Sequence, residues 1–345
     1  MESPEVVFFD ATESEDDAAE ALASQVKELG IAVPFVVNSV HGERLASRLT
    51  GPPHENPESG ANQAWAAELG ARAHRSGADA IIAIGGGRCL DVGKLAAARA
   101  GLALIAVPTQ LSHDGICSPV AVVPNSEGRA ESVGAIHPHG VFMSLPTIAT
   151  APLDSVAAGI GDLLANPLAL KDWALAAERG LEDIDQPGWD LSVESFRAIE
   201  PHLDTAPEES VKDPAFVRTL ADALVLSGLA MIRAGTSRPA SGAEHEISHA
   251  ADRLFGGVAL HGAQVAFGSI FSVALYGEDT DAFRARLTRL GLPEHPRTLG
   301  LIEDDVVRLL LTAPDTRPGR FTILEDADLD EAAAKALIER IWGHD

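Results

Sequence analysis

The sequence has few residues of the kinds that mark secreted, membrane-embedded or nucleic-acid-binding chains. It contains 2 cysteines in 345 residues, which offer no disulfide framework and fit a reducing compartment. It contains 26 basic and 51 acidic residues, and the resulting net charge of −25 repels nucleic acid phosphates and anionic membranes. No apolar run approaches the roughly 20 residues of a membrane helix. We therefore expect neither nucleic acid nor a membrane as a partner, and an anionic substrate would need a locally basic pocket.

The beginning of the chain, MESPEVVFFDATESEDDAAE, is acidic. A secretory signal needs a basic patch and then an apolar stretch, whereas a mitochondrial presequence is rich in arginine and poor in acids. A cytoplasmic location is therefore expected. Because a domain usually has about 100–200 residues, a chain of this length predicts two domains.

The first half of the chain alternates strand-like and helix-like segments. The predicted strands are 5–9, 33–37, 80–84 and 102–107, and the predicted helices between them are 16–29, 41–49 and 61–75. Residues 51–60 are predicted as a loop, and 120–123 with 131–135 as a hairpin. Alternation of this kind predicts βαβ units, so we expect an α/β nucleotide-binding domain with a mostly parallel sheet over residues 1–145.

Strand signals fade after residue 145, and long segments rich in alanine and leucine follow. The predicted helical segments are 151–180, 190–202, 214–235, 241–254, 262–276, 280–290, 303–312 and 329–342. Residues 146–345 are therefore predicted to form an all-α domain.

A glycine-rich turn joins a predicted strand to a helix within residues 81–94, IIAIGGGRCLDVGK. Glycines lack a Cβ and let a phosphate approach the backbone, while the N-terminus of the following helix supplies free N–H groups. Asp91 and Lys94, three positions apart on that helix, strengthen the prediction of a phosphate loop. The spacing differs from the G-x-G-x-x-G dinucleotide fingerprint, and a tight strand–helix turn would produce the same glycines.

A second polar loop, VPTQLSHDGICSP at residues 107–119, follows the next predicted strand. In a doubly wound sheet, ligands bind beyond the carboxyl ends of the strands, so this loop is predicted to line the same crevice. The alternative is a polar surface turn. Its hydrogen-bonding side chains are Thr109, Ser112, His113, Asp114 and Ser118.

Three histidines lie close together within residues 241–268. His245 and His249 are four apart, so they share one face of a helix, and His261 follows twelve positions after His249. Imidazole is the commonest transition-metal ligand, so the spacing predicts a metal site without deciding which rings bind. Asp162, a lone carboxylate in an apolar stretch, is a candidate for a further ligand because burying it without a partner is costly.

Six segments carry a resemblance to a known family. They are GGGRCLDVGK, PTQLSHDGICSP, GIGDLLANPLALKDW, SGAEHEISHAAD, LHGAQVAFG and GRFTIL. They keep the order and spacing of motifs in the glycerol-1-phosphate dehydrogenases, a branch of the iron-containing alcohol dehydrogenase superfamily, from about residue 79 to 325. The resemblance implies a divalent metal, with Zn²⁺ the first choice and Fe²⁺ or Ni²⁺ as alternatives, and a nicotinamide cofactor, NAD(P)H.

The resemblance also implies roles for individual residues. Asp162, His245 and His261 would be the metal ligands, and His249 a neighbour of the metal that serves as a proton-relay candidate. Asp114 would face the substrate hydroxyls. Gly85, Gly86, Gly87, Thr109, Ser118 and Val120 would line the nicotinamide cofactor site. With Asp91 and Lys94 of the helix and Ser112 of the second loop, they make up the predicted cofactor-binding set.

Relative to that family, the nucleotide domain is shortened, since a strand–helix unit usually found before the glycine loop is replaced here by the predicted loop at 51–60. Asn38 and Ser39 also stand where a glycine or an acidic residue commonly follows the second strand. Both changes lie on the adenosine side of the expected cofactor site. We therefore predict weak NAD(P)H binding with little discrimination between NADH and NADPH.

The function expected from these observations is metal-dependent, NAD(P)-linked reduction of dihydroxyacetone phosphate or a related phosphorylated or phosphonylated carbonyl compound, in a cleft between the two domains. Two alternatives remain. One is a non-redox cyclase or lyase of the dehydroquinate-synthase type, although the lysine-rich G-G-K loop of that group does not occur here. The other is a catalytically silent binding paralogue. The partner is expected to be a small phosphorylated substrate, and the sequence leaves homo-oligomer formation open.

Overall fold

The computed structural model describes residues 4–9, 14–50 and 61–343. The chain divides into two compact units, Met1–Pro152 and Leu153–Asp345. This division lies a few residues beyond the predicted boundary after residue 145. The difference arises because the short helix Leu145–Ala149 packs against the strand that precedes it and so belongs with the first unit.

The first unit is built on a five-stranded parallel sheet with the order β1-β7-β4-β3-β2. A separate antiparallel hairpin is formed by β5 and β6. The strands are β1 (Glu5–Phe9), β2 (Pro34–Asn38), β3 (Ala80–Gly85), β4 (Ala103–Pro108), β5 (Val120–Pro124), β6 (Ala130–Gly134) and β7 (Gly140–Ser144). The predicted strands, the hairpin and the parallel sheet are confirmed, and β7 is an additional strand.

The helices of this unit are α1 (Glu15–Glu28), α2 (Glu43–Ala46), α3 (Gln63–Arg75), α4 (Gly87–Ala100) and α5 (Leu145–Ala149). Helices α1 and α2 pack on one face of the five-stranded sheet, α4 packs on the other face, and α3 packs on α4. Side chains alternate across β3: Ile82 and Ile84 join the core under α1 and α2, whereas Ala83 contacts α4 at Gly93. The predicted helix at 41–49 is shorter than expected and begins with a 3₁₀ turn at Val40–Gly42. The predicted loop at 51–60 lies outside the described residues.

The second unit is helical throughout its described residues, as predicted. Its α-helices are α6 (Leu153–Leu163), α7 (Asn166–Glu178), α8 (Gln186–Ile199), α9 (Pro207–Ser210), α10 (Pro214–Ala234), α11 (Ala243–Phe255), α12 (His261–Leu275), α13 (Thr280–Arg289), α14 (Glu303–Thr312), α15 (Ile323–Ala327) and α16 (Glu331–Trp342). The single helix predicted over 151–180 is two helices, since Pro167 has no N–H and fits only the first turn of α7.

Two apolar helices form the interior of this unit. Helix α12 packs against both α6 and α11, and it is buried around almost its whole circumference, as a core helix should be. Contrary to the expectation from the sequence, helix α10 is long and apolar enough to cross a membrane by length and composition, with a mean hydropathy of 1.7 over its most apolar window. Because 67% of that window is buried within the protein, α10 is accounted for as a core helix that packs on α8.

Candidate metal centre and nucleotide loops

Three helices of the second unit bring Asp162, His245 and His261 together. They come from the C-terminal half of α6, the first turn of α11 and the first residue of α12. Oδ1 of Asp162 lies 3.6 Å from Nε2 of His245 and 3.8 Å from Nε2 of His261. One ligand atom from each residue lies within 4.8 Å of the other two. The structure thus gathers the three residues predicted as metal ligands.

The donor set fits a divalent transition metal. Tetrahedral ligands at about 2.1 Å from a common ion are about 3.4 Å apart, close to the separations from Asp162. Two imidazoles and a carboxylate are ligands that zinc and divalent iron both accept. Asp162 and His245 are buried, whereas 24% of the His261 side chain is exposed, so the cluster is accessible from one side. An accessible position is what a catalytic metal needs and a purely structural one does not.

Two glycine contacts set the spacing of the three helices. A Cβ on Gly161 would lie 2.5 Å from the carbonyl oxygen of Gly262, so only glycine permits this approach of α6 to α12, next to the candidate ligand that each helix carries. A Cβ on Gly268 would lie 2.5 Å from the carbonyl oxygen of Glu244, which brings α12 equally close to α11. The geometry of the three donors therefore depends on backbone-to-backbone packing.

Both candidate histidine ligands, His245 and His261, have an oxygen partner near Nδ1. Nδ1 of His245 lies 3.0 Å from Oε1 of the fully buried Glu244, and Nδ1 of His261 lies 3.5 Å from Oγ of Ser248. A proton held on Nδ1 leaves Nε2 unprotonated, as a metal ligand must be. Burial alone would lower the pKa of His245, but the hydrogen bonds and charges of Asp162 and Glu244 outweigh it and raise this pKa to about 9.

His249 lies beside this cluster but outside the set of three donors. Its ring centroid is 6.4 Å from that of His245 and 6.5 Å from that of His261. Its Nδ1 accepts a hydrogen bond of 3.3 Å from Nε of Arg317, which places the ring proton of neutral His249 on Nε2. Burial and the positive charge of Arg317 lower the pKa of His249 well below its ordinary value. His249 is therefore a neutral imidazole near neutral pH. Sequence reasoning did not single out Arg317, which lies far from the histidines along the chain.

The glycine loop and the second polar loop lie side by side in the first unit. Gly85 at the end of β3 pairs with Pro108 at the end of β4, and the N–H of Thr109 donates to the carbonyl oxygen of Gly85 over 3.1 Å. Because parallel strands end at the same sheet edge, the two loops predicted to bind the cofactor are adjacent. Gly86 is the N-cap of α4, so the first N–H groups of this helix face the loop.

Two side chains of the second loop pack directly over the glycines. A Cβ on Gly86 would lie 2.9 Å from Nε2 of Gln110, and a Cβ on Gly87 would lie 2.5 Å from Nε2 of His113. The glycines thus let these two side chains lie close to the backbone of the loop, although both side chains could move aside for a Cβ. Gln110 had no role in the sequence prediction, since a lone glutamine after a strand carries no signal. Its position gives it access to whatever binds at the loop.

Asp91 and Lys94 do not face the glycine loop. Nζ of Lys94 is fully buried, 3.3 Å from Oδ1 of Asp91 and 2.8 Å from the carbonyl oxygen of Val120. The other carboxylate oxygen of Asp91 accepts the N–H of Val122 over 3.1 Å. These residues tie α4 to β5, because the positions they occupy on α4 face the hairpin. The prediction that Asp91 and Lys94 contact a phosphate directly is therefore corrected: their side chains hold α4 against β5.

The remaining predicted contacts are all in the second loop or at its end. Thr109, Ser112 and Ser118 are buried, whereas Asp114 and Val120 are half-buried. Asp114 begins a 3₁₀ turn, Asp114–Ile116, and its carbonyl oxygen accepts the N–H of Ser118 over 3.0 Å. The structure thus places these residues near one another, and their contacts with cofactor or substrate remain predictions.

Comparison with known proteins agrees with this architecture. A model of the iron-containing alcohol dehydrogenases matches residues 23–152. The structure of a probable glycerol dehydrogenase from Sinorhizobium meliloti has the same fold, with a TM-score of 0.80 over 98% of this chain and 96% of that one at 21% identity. Sulfoacetaldehyde reductase from Bifidobacterium kashiwanohense, solved with NAD⁺, gives a TM-score of 0.73 over 100% and 98% of the chains at 14% identity. The fold is therefore that of the iron-containing alcohol dehydrogenases.

Sequence relatives narrow this class. Glycerol-1-phosphate dehydrogenase [NAD(P)⁺] from Cenarchaeum symbiosum is 38% identical over 256 residues, which are 74% of this chain and 71% of the relative. The protein of the same name from Methanosphaerula palustris is 40% identical over 274 residues, covering 77% and 73%. At this identity and coverage, the chain belongs to the glycerol-1-phosphate dehydrogenase family.

Proposed function

We propose that this protein is a metal-dependent, NAD(P)H-linked reductase of dihydroxyacetone phosphate or a closely related phosphorylated or phosphonylated ketone. The observation that carries the proposal is the cluster of Asp162, His245 and His261, with neutral His249 beside it, in a chain whose relatives are named for glycerol 1-phosphate. We also propose a small phosphorylated substrate and a cytoplasmic location.

Asp162, His245 and His261 would hold the metal, with Zn²⁺ the first choice and Fe²⁺ or Ni²⁺ the alternatives. When bound there, a divalent metal polarises a carbonyl oxygen as a Lewis acid. The protein's part is to fix the donors. The contacts of α12 with α6 and α11 set their spacing, and the Nδ1 partners of both histidines set their orientation.

His249 would act on the same substrate oxygen as a hydrogen-bond donor. Because Arg317 occupies Nδ1, the proton on Nε2 is available, and the low pKa keeps the ring neutral in the working pH range. A neutral imidazole N–H that stabilises developing negative charge on oxygen is an established catalytic arrangement. The proton that completes the alcohol then comes from water, directly or through His249.

The glycine loop would hold the pyrophosphate of NAD(P)H through the first N–H groups of α4, next to Gln110 and His113. When bound, NAD(P)H supplies the hydride. We assign the nicotinamide side of the site to the predicted loop residues Thr109, Ser112, Ser118 and Val120. Asp114 is assigned to the substrate hydroxyl.

The direct test is a coupled activity and metal assay. Metal-loaded wild type should oxidise NADH or NADPH only when dihydroxyacetone phosphate is present, and glycerol 1-phosphate should be the product. The His249→Gln variant should keep its metal but lose about 100-fold in kcat, the size expected when one oxyanion donor is removed. His74→Gln, an exposed change on α3, is the matched control. Cofactor binding without oxidation, or no cofactor binding, would favour the cyclase, lyase or silent alternatives instead.

A further inference from the structure

The guanidinium groups of Arg317 and Arg320 lie together beside His249, and neither forms an ion pair with a carboxylate of the described residues. Nη1 of Arg317 donates to Oγ of Ser237 over 2.7 Å, and Nη2 of Arg320 donates to the same oxygen over 2.9 Å. Nε of Arg317 also donates to Nδ1 of His249. One serine hydroxyl and one imidazole are thus the partners of Arg317, and all its partners are neutral.

A third arginine in this region, Arg238, does have a carboxylate partner. Arg238 is fully buried and forms a two-pronged ion pair with Glu182, with Nε 2.8 Å from one carboxylate oxygen. Burial and repulsion from Arg317 and Arg238 lower the pKa of Arg320 to about 10. The charges of Glu246, Glu244 and Glu182 act in the opposite direction on these arginines. However, Glu182 is paired with Arg238, and burial raises the pKa of Glu246 to about 9, so neither acid fully balances the cluster of two guanidinium groups.

Ser241 adds a hydroxyl to this cluster. Its carbonyl oxygen accepts a hydrogen bond of 2.5 Å from Nη1 of Arg320, and the residue is only 3% exposed. Its Oγ is buried without a hydrogen-bond partner in the part of the chain that the structure describes. A buried hydroxyl left without a partner is costly unless a ligand supplies one.

These observations point to an anion. Largely buried cations without a directly paired carboxylate are destabilising, and a bound anion reduces this cost. The fork of a guanidinium matches the oxygens of a phosphate, and two forks with a hydroxyl can surround one phosphate group. Arg317 contacts His249, whose ring lies within 6.5 Å of the rings of both histidine ligands. The cationic cluster is therefore about one imidazole ring away from the metal cluster.

We propose that Arg317, Arg320 and Ser241 form the subsite that binds the phosphate of the substrate, with Ser237 holding the two guanidinium groups in register. This inference rests on the proposed function and deepens it, because it says why a phosphorylated ketone is preferred to its neutral counterpart. A substrate whose carbonyl and phosphate are a few bonds apart would span from the metal ligands past His249 to the two arginines.

The test uses the metal-loaded holoenzyme and the variants Arg320→Gln and Arg320→Lys. Arg320 is the cleaner target, since changing Arg317 would also alter the hydrogen bond to His249. Arg289→Gln removes an arginine that pairs with Asp204 on the surface and serves as the control for net charge. Two quantities are measured: steady-state constants with dihydroxyacetone phosphate and with dihydroxyacetone, and calorimetric binding of inorganic phosphate.

Arg320→Gln should raise KM for dihydroxyacetone phosphate about 10- to 100-fold, the worth of a charge-assisted hydrogen bond, with a smaller change in kcat. The change in its constants with dihydroxyacetone, which has no phosphate, should be much smaller, and the thermal midpoint is measured beside them. Phosphate binding should weaken similarly, Arg320→Lys should recover part of it, and Arg289→Gln should change nothing.

Equal losses with both ketones, or phosphate binding unchanged in Arg320→Gln, would overturn the phosphate subsite. If the wild type does not reduce dihydroxyacetone phosphate at all, the proposed function fails, but the calorimetric arm still decides the subsite. Phosphate binding that depends on Arg320 would then support an anion site for a different substrate. If Arg320→Gln has a lowered thermal midpoint, Arg320→Lys decides the outcome. This variant keeps the positive charge, so it must recover phosphate binding if the charge binds the anion.

Discussion

Oε1 of Glu244 lies 3.0 Å from Nδ1 of His245, on the opposite side of the ring from the Nε2 atom that faces Asp162. The same carboxylate oxygen accepts the N–H of Gly242 over 2.6 Å, so its position is fixed by the backbone at the start of α11. The imidazole of His245 thus has the Glu244 carboxylate at one ring nitrogen and the Asp162 carboxylate at the other. Such an arrangement sets both the tautomer and the basicity of a ligand.

Replacing Glu244 with Gln should weaken metal binding about 10- to 100-fold, because the loss of a carboxylate behind a histidine ligand typically has this effect. Competition against a chelator of known affinity measures it. Glu194→Gln, an exposed change on α8, is the control and should leave metal affinity unchanged. Equal affinity in Glu244→Gln and wild type would mean that Glu244 has no part in holding the ligand.

Metal affinity should fall as the pH is lowered. The pKa of about 9 for His245 in the metal-free protein means that this ring is protonated below pH 9 and must release its proton to bind a metal. The release of this one proton should reduce the apparent affinity about tenfold per unit of pH. Chelator competition at three values between about pH 6.5 and 8.5 measures the slope. A flat profile would contradict the raised pKa.

The close approach of α6 and α12 should be sensitive to a single methyl group. Gly161→Ala puts a Cβ 2.5 Å from a backbone oxygen and should cost about 1–3 kcal/mol of unfolding free energy while weakening metal binding. Gly70→Ala, which makes an equally close contact between α3 and α4, is the matched control. Denaturant titration should show both variants destabilised. This role of the helix contact would be contradicted if Gly70→Ala also lost metal affinity, or if Gly161→Ala kept it.

The cofactor should bind weakly and with little preference. Asn38 ends β2 and Ser39 follows it, so neutral side chains stand where a carboxylate could reject a 2′-phosphate. Two or three hydrogen bonds missing at the adenosine end would weaken binding about 30- to 100-fold. Calorimetric titration of metal-loaded protein with NADH and NADPH measures both affinities. Tight binding of one with strong rejection of the other would refute this prediction.

Much of the fold could be predicted from periodicity, because the buried strands and long amphipathic helices give strong local signals. The strand β7 was missed, since GVFMS is a short apolar run without alternation that leads directly into a helix. All five of its residues are buried, as is typical of a central parallel strand. Periodicity alone cannot distinguish such a run from a buried helical turn.

In the candidate site, too, local sequence patterns could not decide the role of individual side chains. The spacing of His245 and His249 puts both on one face of α11, and only their partners distinguish them: Glu244 and Asp162 for the first, Arg317 for the second. The sequence likewise cannot tell which face of α4 meets the hairpin, so Lys94 was predicted to bind a phosphate and is found buried instead. Contacts between residues distant in sequence decide both cases.

The central claim is that Asp162, His245 and His261 hold one divalent metal ion per chain. Equilibrium dialysis against Zn²⁺ followed by elemental analysis, on wild type and His261→Ala, tests it most directly. We expect about one equivalent in the wild type and almost none in His261→Ala, with the His249→Gln variant still loaded. A fully loaded His261→Ala protein, or the loss of metal from His249→Gln instead, would contradict the assignment.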